Sequence, residues 1–93
     1  ISHFANYKLF LGVDSFSFEN GISTPNMEEA MLNQAMIAQA SQVIAVFDSS
    51  KFNKRSFCHI ATADQIDAIV TDNNLPVGYS SRLKEKNIAL YLA

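Results

Sequence analysis

Three aspartates stand where a polar ligand could be held. Asp14, Asp48 and Asp72 each close a short apolar run, in "LFLGVD", "VIAVFD" and "DAIVTD". A carboxylate at such a place can accept hydrogen bonds from the hydroxyl groups of a ligand, or it can close a local turn. For Asp14, position alone does not separate the two. The stretch "NGISTPN", residues 20–26, sets Gly21, Ser23, Thr24 and Asn26 in front of a helix start. Unpaired N–H groups and the positive end of the helix dipole welcome an anion there. Thr24 and Asn26 can equally serve as caps alone. The glycines of a P-loop or a dinucleotide fingerprint are missing. "DSSKF", residues 48–52, puts Lys51 just past an apolar run, beside two hydroxyls, where an ammonium can reach a phosphate. Lys54 and Arg55 extend this into a local basic patch, too small for a nucleic-acid footprint.

Other chemistries find little support. His3 and His59 lie far apart without a flanking ligand pattern, so no metal site is expected. There is no nucleophile elbow, and no Ser–His arrangement that suggests a triad. The only adjacent carboxylates, Glu28 and Glu29, suit the first turn of a helix. Cys58 is the single cysteine, which rules out an intramolecular disulfide and fits an inert thiol in a reducing compartment. No cofactor is implied.

These candidates must be positioned by an α/β frame. Residues 7–13 (YKLFLGV), 43–48 (VIAVFD), 67–72 (DAIVTD) and 88–92 (IALYL) read as buried strands, and "SFCHIA" as a weaker extended piece. Residues 14–26 read as a long loop and 49–55 as a basic turn. Asn26 caps a helix over 27–41, with Glu29 at capping-box spacing. The apolar residues of that helix cover more than one stripe, which predicts burial on more than one side. A second helix is expected over 77–86, with Pro76 at its start, Val77 and Leu83 inward and Asn87 at its left-handed stop. Continuous apolar strands alternating with helices predict a mostly parallel, Rossmann-like sheet covered on both faces. Ligands of such sheets bind beyond the carboxyl ends of the strands, where the three aspartates fall.

The 93 residues make at most one small domain, 48% hydrophobic and 17% charged, with a mean hydropathy of +0.05. That is apolar for its size, and points to surface that meets another subunit or further chain of the same domain. A net charge of −2 argues against this piece holding a nucleic-acid duplex by itself. No apolar run approaches the length of a membrane span. Ile1 is neither a start methionine nor part of a signal peptide, so the sequence is expected to begin inside a longer protein.

Taken together, "LFLGVD", "GISTPNMEEAMLNQAMI", "VIAVFDSSKF" and "IDAIVTDNNLP", in this order and spacing, resemble the C-terminal effector domain of DeoR-family transcriptional repressors. The likeness runs from about Tyr7 to Leu92. It implies that residues 1–93 are the C-terminal part of one effector-binding domain. A phosphate-binding loop and a winged helix-turn-helix that binds operator DNA would lie outside the chain. The implied protein is a cytoplasmic homo-oligomer that binds a phosphorylated sugar. The effector domain is similar in turn to sugar-phosphate isomerases of the ribose-5-phosphate isomerase type. By that resemblance Asp14 and Lys51 match ligand-side residues, and Thr24 and Asn26 join them as candidates. Gly12 would let neighbouring backbone approach the strand end. Around the isomerases' catalytic glutamate this chain has Leu32, Asn33 and Gln34, and an amide cannot act as a base at neutral pH. That favours a sensor without turnover; the alternative is a fragment of a sugar-phosphate isomerase or deaminase.

Overall fold

The computed structural model describes residues 7–93; His3 lies outside them. Four strands form one parallel sheet: β1 (Lys8–Gly12), β4 (Gln42–Val46), β6 (Ala68–Thr71) and β7 (Ala89–Leu92), in that spatial order. Three shorter strands, β2 (Ser15–Ser17), β3 (Gly21–Thr24) and β5 (Cys58–Ala61), form a second, antiparallel sheet. Two helices complete the fold, α1 (Met27–Gln39) and α2 (Tyr79–Glu85). The architecture is the α/β, Rossmann-like one expected from the strand pattern, with the small sheet as an addition.

Alternation sets the sidedness of the parallel sheet. Leu9 and Leu11 of β1, Val43 and Ala45 of β4, and Ile69 of β6 point to the covered face. They meet Ala30 and Ile37 of α1, Leu83 of α2 and the rings of the small sheet in one core. Phe10, Val46 and Tyr91 point the other way and are exposed. Among the described residues, therefore, one face is packed and one is open, where burial of both was expected.

The loop expected at 14–26 contains β2 and β3. The chain reverses at Glu19–Asn20 and pairs Phe16 with Ile22, both fully buried. Gly21 is required for this return. Its φ is +71°, and a Cβ there would stand 1.9 Å from the carbonyl oxygen of Ala61 on β5. Both outer edges of the small sheet are capped: the Lys54 N–H donates to the Phe16 carbonyl (3.1 Å), and Gln34 Nε2 donates to the His59 carbonyl (2.7 Å). Phe16, Phe18, Phe47, Phe52 and Tyr79 form a chain of ring contacts with centroids between 4.9 and 5.8 Å apart. That chain ties the small sheet to the end of β4 and to α2.

The helices differ from expectation in instructive ways. Helix α1 buries Ala30, Asn33 and Ile37, one stripe at helical spacing, while Met27, Met31 and Leu32 stand more than half exposed. Burial on more than one side is thus not met within the described residues, because α1 has neighbours on its sheet side only. The second helix begins two residues later than expected. Pro76 to Tyr79 closes a turn, with Tyr79 N–H donating to Pro76 O and Gly78 at φ 86°. Val77 sits at the tip of that turn and is fully exposed, not inward; Leu83 is fully buried. Asn87 does take the left-handed stop, at φ 61°.

Candidate functional site

The carboxyl ends of β1 and β4 lie side by side. Gly12 is in register with Val46, and Val13 N–H donates to Val46 O (3.3 Å). Asp14 and Asp48 each follow two residues beyond that pair, so two sequence-predicted groups come to neighbouring strand ends.

The first cluster is built around Thr24. Its side chain is almost fully buried, and its hydroxyl donates to Asp14 Oδ2 at 2.8 Å. The same hydroxyl lies 3.2 Å from Glu29 Oε1. One hydroxyl proton serves two carboxylates, so the oxygens of Asp14 and Glu29 keep spare acceptor capacity. Asp14 is exposed and can turn that capacity outward, toward the hydroxyls of a ligand. Asn26 acts as a helix cap, its Oδ1 accepting from the Glu29 N–H at 2.9 Å. Glu29 does not complete a capping box by reaching back to Asn26; its carboxylate turns to Thr24 instead. Glu29 is the member of this cluster that sequence reading left at the helix start.

The second cluster is the turn after β4, a short 3-10 segment at Ser49–Lys51. Asp48 accepts from both the hydroxyl and the N–H of Ser50. Asp72, at the end of the neighbouring strand β6, accepts from Ser49 N–H and from Asn74 N–H, each at 2.9 Å. The backbone of the turn is thus held from two sides. Lys51 Nζ stands 3.9 Å from Asp48 Oδ2, with Asp48 exposed and Lys51 half-buried. Such a loose pair leaves the ammonium available to another anion.

Both carboxylates are held below the ordinary value of 3.8, Asp48 mainly by the Ser50 hydroxyl and Asp72 mainly by the Ser49 N–H. A group whose folded pKa is depressed supports the fold above its unfolded pKa, and that support is lost as pH falls through the folded value. The turn is therefore expected to hold at neutral pH and to loosen only on acidification below 3.8. An NMR acid titration of the Ser49, Ser50 and Asn74 amides checks this; loss of their bonded shifts above that pH would contradict it.

A concavity of about 330 Å³ lies over the small sheet between Asn20, Ser23, Arg55, Ser56 and His59. Ser56 is fixed there by Ser23 Oγ, which accepts its N–H at 2.8 Å, and by the Ser15 hydroxyl at 2.6 Å. It contains none of the expected site residues, although Arg55 of the basic turn lines it. Among the described residues no group of metal ligands occurs, and no helix is long and apolar enough to cross a membrane.

Comparison with known proteins decides the family. The model of the DeoR C-terminal sensor domain matches residues 1–73, which include both clusters. The chain belongs to the DeoR family. It is 40% identical over 84 residues to a protein of Escherichia coli O157:H7 whose name assigns it, as a candidate, to repression of the aga operon. The match takes in 90% of this chain and 31% of that protein. The HTH-type transcriptional regulator GlpR of Haloferax volcanii is 33% identical over 82 residues, 88% of this chain and 32% of its own length. The HTH-type transcriptional repressor GlcR of Bacillus subtilis is 42% identical over 65 residues, 70% of this chain and 25% of its own. This sensor segment thus spans about a third or less of the regulators it matches. Asp14, Thr24, Glu29, Lys51 and Asp72 all fall within the family match; α2 and β7 lie beyond it.

Proposed function

We propose that the chain is the effector-sensing part of a cytoplasmic transcriptional repressor of sugar metabolism, and that its ligand is a phosphorylated sugar held at the ends of β1 and β4. The observation that carries this reading is the neighbouring placement of two complementary groups. Asp14, anchored by the Thr24 hydroxyl, offers carboxylate oxygens for sugar hydroxyls. Lys51, on a turn braced by Asp48 and Asp72, offers an ammonium for the phosphate. Residues 1–93 would be the C-terminal part of one effector domain, whose phosphate-binding loop and operator-binding winged helix-turn-helix belong to the longer protein. The relatives' names as HTH-type regulators support that division. Ligand would act by a population shift between arrangements of a homo-oligomer, which requires different affinities for the two.

A sensor needs no general base. Gln34, near the place of the isomerases' glutamate, donates to the His59 carbonyl and braces the small sheet. That use of the amide supports binding without turnover over an isomerase or deaminase fragment. In the full-length protein, Asp14→Ala and Lys51→Ala are each expected to weaken phosphorylated-sugar binding by about 10-fold or more. Thermal stability should change little. Calorimetric titration of both variants checks this, and unchanged affinity in both would remove the site.

A further inference from the structure

The two faces of the small sheet differ. Phe16 and Ile22, paired across β2 and β3, point into the core. The other face carries Ser15, Ser23 and His59, set side by side on three strands by the registers of β2 with β3 and β3 with β5. The chain after the basic turn folds back against this face. Ser56 N–H donates to Ser23 Oγ at 2.8 Å, and the Ser56 and Ser15 hydroxyls meet at 2.6 Å. Between these anchors and Asn20 lies the concavity of about 330 Å³, with Arg55 and Phe57 among its lining residues.

Its hydrogen bonding is one-sided. Ser23 is 1% exposed, yet its hydroxyl only accepts; among the described residues its own proton has no acceptor. The contact of Ser15 with Ser56 uses one hydroxyl proton and leaves one over. Asn20 gives one side-chain N–H to Ser17 Oγ at 3.3 Å and keeps the second. Arg55 forms no ion pair among the described residues, where Lys51 with Asp48 is the only one. No carboxylate is among the lining residues. Buried donors without acceptors cost free energy. A guanidinium beside hydroxyl donors is matched by the several oxygens of a phosphate group.

We propose that this concavity is a second anion site, which takes a phosphate group, free or as a monoester, between Arg55, Ser23, Ser56 and His59. Phe57, exposed at its rim, faces the organic part of an ester. The site is separate from the Asp14 cluster: Thr24, which bonds Asp14, follows Ser23 on β3 and points to the opposite face. It therefore stands or falls apart from the phosphorylated-sugar reading, which places its phosphate at Lys51.

Titration of the full-length protein with inorganic phosphate, against sodium chloride of equal ionic strength, tests it by amide NMR. Saturable shifts of the Ser23 and Ser56 amides are expected with phosphate and not with chloride. Arg55→Gln, at an exposed position, should weaken this binding by about 10-fold or more, and Lys51→Ala should leave it within about 2-fold. Phenyl phosphate separates the two sources. Tighter binding than the free ion, with the gain lost in Phe57→Ala, assigns the ligand to an ester; equal affinity assigns it to the free ion, and either supports the site. Shifts that match those with chloride, or equal phosphate affinity in Arg55→Gln and the parent, would overturn the proposal. So would loss of the shifts in Lys51→Ala, since the phosphate would then sit on the turn after β4.

Discussion

Gly21→Ala is expected to cost about 3–5 kcal/mol of folding stability. Two penalties combine. A left-handed φ costs an ordinary residue about 1–2 kcal/mol. The added carbon would also lie 1.9 Å from the Ala61 carbonyl oxygen and 2.7 Å from the Thr62 Cα, both of them backbone. No side chain can swing aside, so β3 must separate from β5. Gly78→Ala is the matching comparison, because Gly78 has φ 86° but open space around it. It should show only the left-handed penalty, about 1–2 kcal/mol. Denaturant unfolding of the two full-length variants gives the difference, and equal losses would show that the β3–β5 approach is not the constraint.

Phe16→Ala is expected to cost a similar 3–5 kcal/mol, for a different reason. The ring is fully buried and lies between 5.3 and 5.8 Å from those of Phe18, Phe47 and Phe52. No neighbouring element can collapse into the space, because the surrounding rings are fixed by each other and by the backbone contacts of Phe16 with Phe52 and Lys54. Phe16→Leu keeps most of the volume and should lose less than about 1.5 kcal/mol. The same substitution to alanine should loosen the turn that carries Lys51, since Phe52 is next in the chain. A melting temperature for Phe16→Ala within a degree of the parent would contradict this account of the core.

The parallel sheet was legible because its strands are unbroken apolar runs, and α1 because Asn26 and strong helix formers mark its start. The small sheet was hidden by composition. Ser15, Ser17, Glu19, Asn20 and Gly21 read as loop formers, although Ser15-Phe16-Ser17-Phe18 alternates with the period of a strand. Tertiary burial of Phe16, Ile22 and even Ser15 and Ser17 overrode local propensity. Val77 misled for a related reason: helical spacing counted it inward, but the left-handed Gly78 ends a turn there. For the site, their places after apolar runs made Asp14 and Lys51 candidates, and only the resemblance to the family put them on the ligand side. The part played by Glu29 could not, because it depends on the β2–β3 hairpin returning Thr24 to Asp14, ten residues away in sequence. The brace from Asp72 to Ser49 likewise needs β4 and β6 to be neighbours, a fact of topology rather than of any local pattern.

The central claim is that this segment senses a phosphorylated sugar through Asp14 and Lys51. The most direct measurement is operator binding by the full-length protein, followed by fluorescence anisotropy, during titration with phosphorylated sugars and their unphosphorylated parents. Release of operator by a phosphorylated sugar, absent with its parent and shifted about 10-fold or more to higher concentration by Asp14→Ala or Lys51→Ala, is the result predicted here. Operator binding that ignores every phosphorylated sugar, or responds identically in the parent protein and both variants, would contradict it.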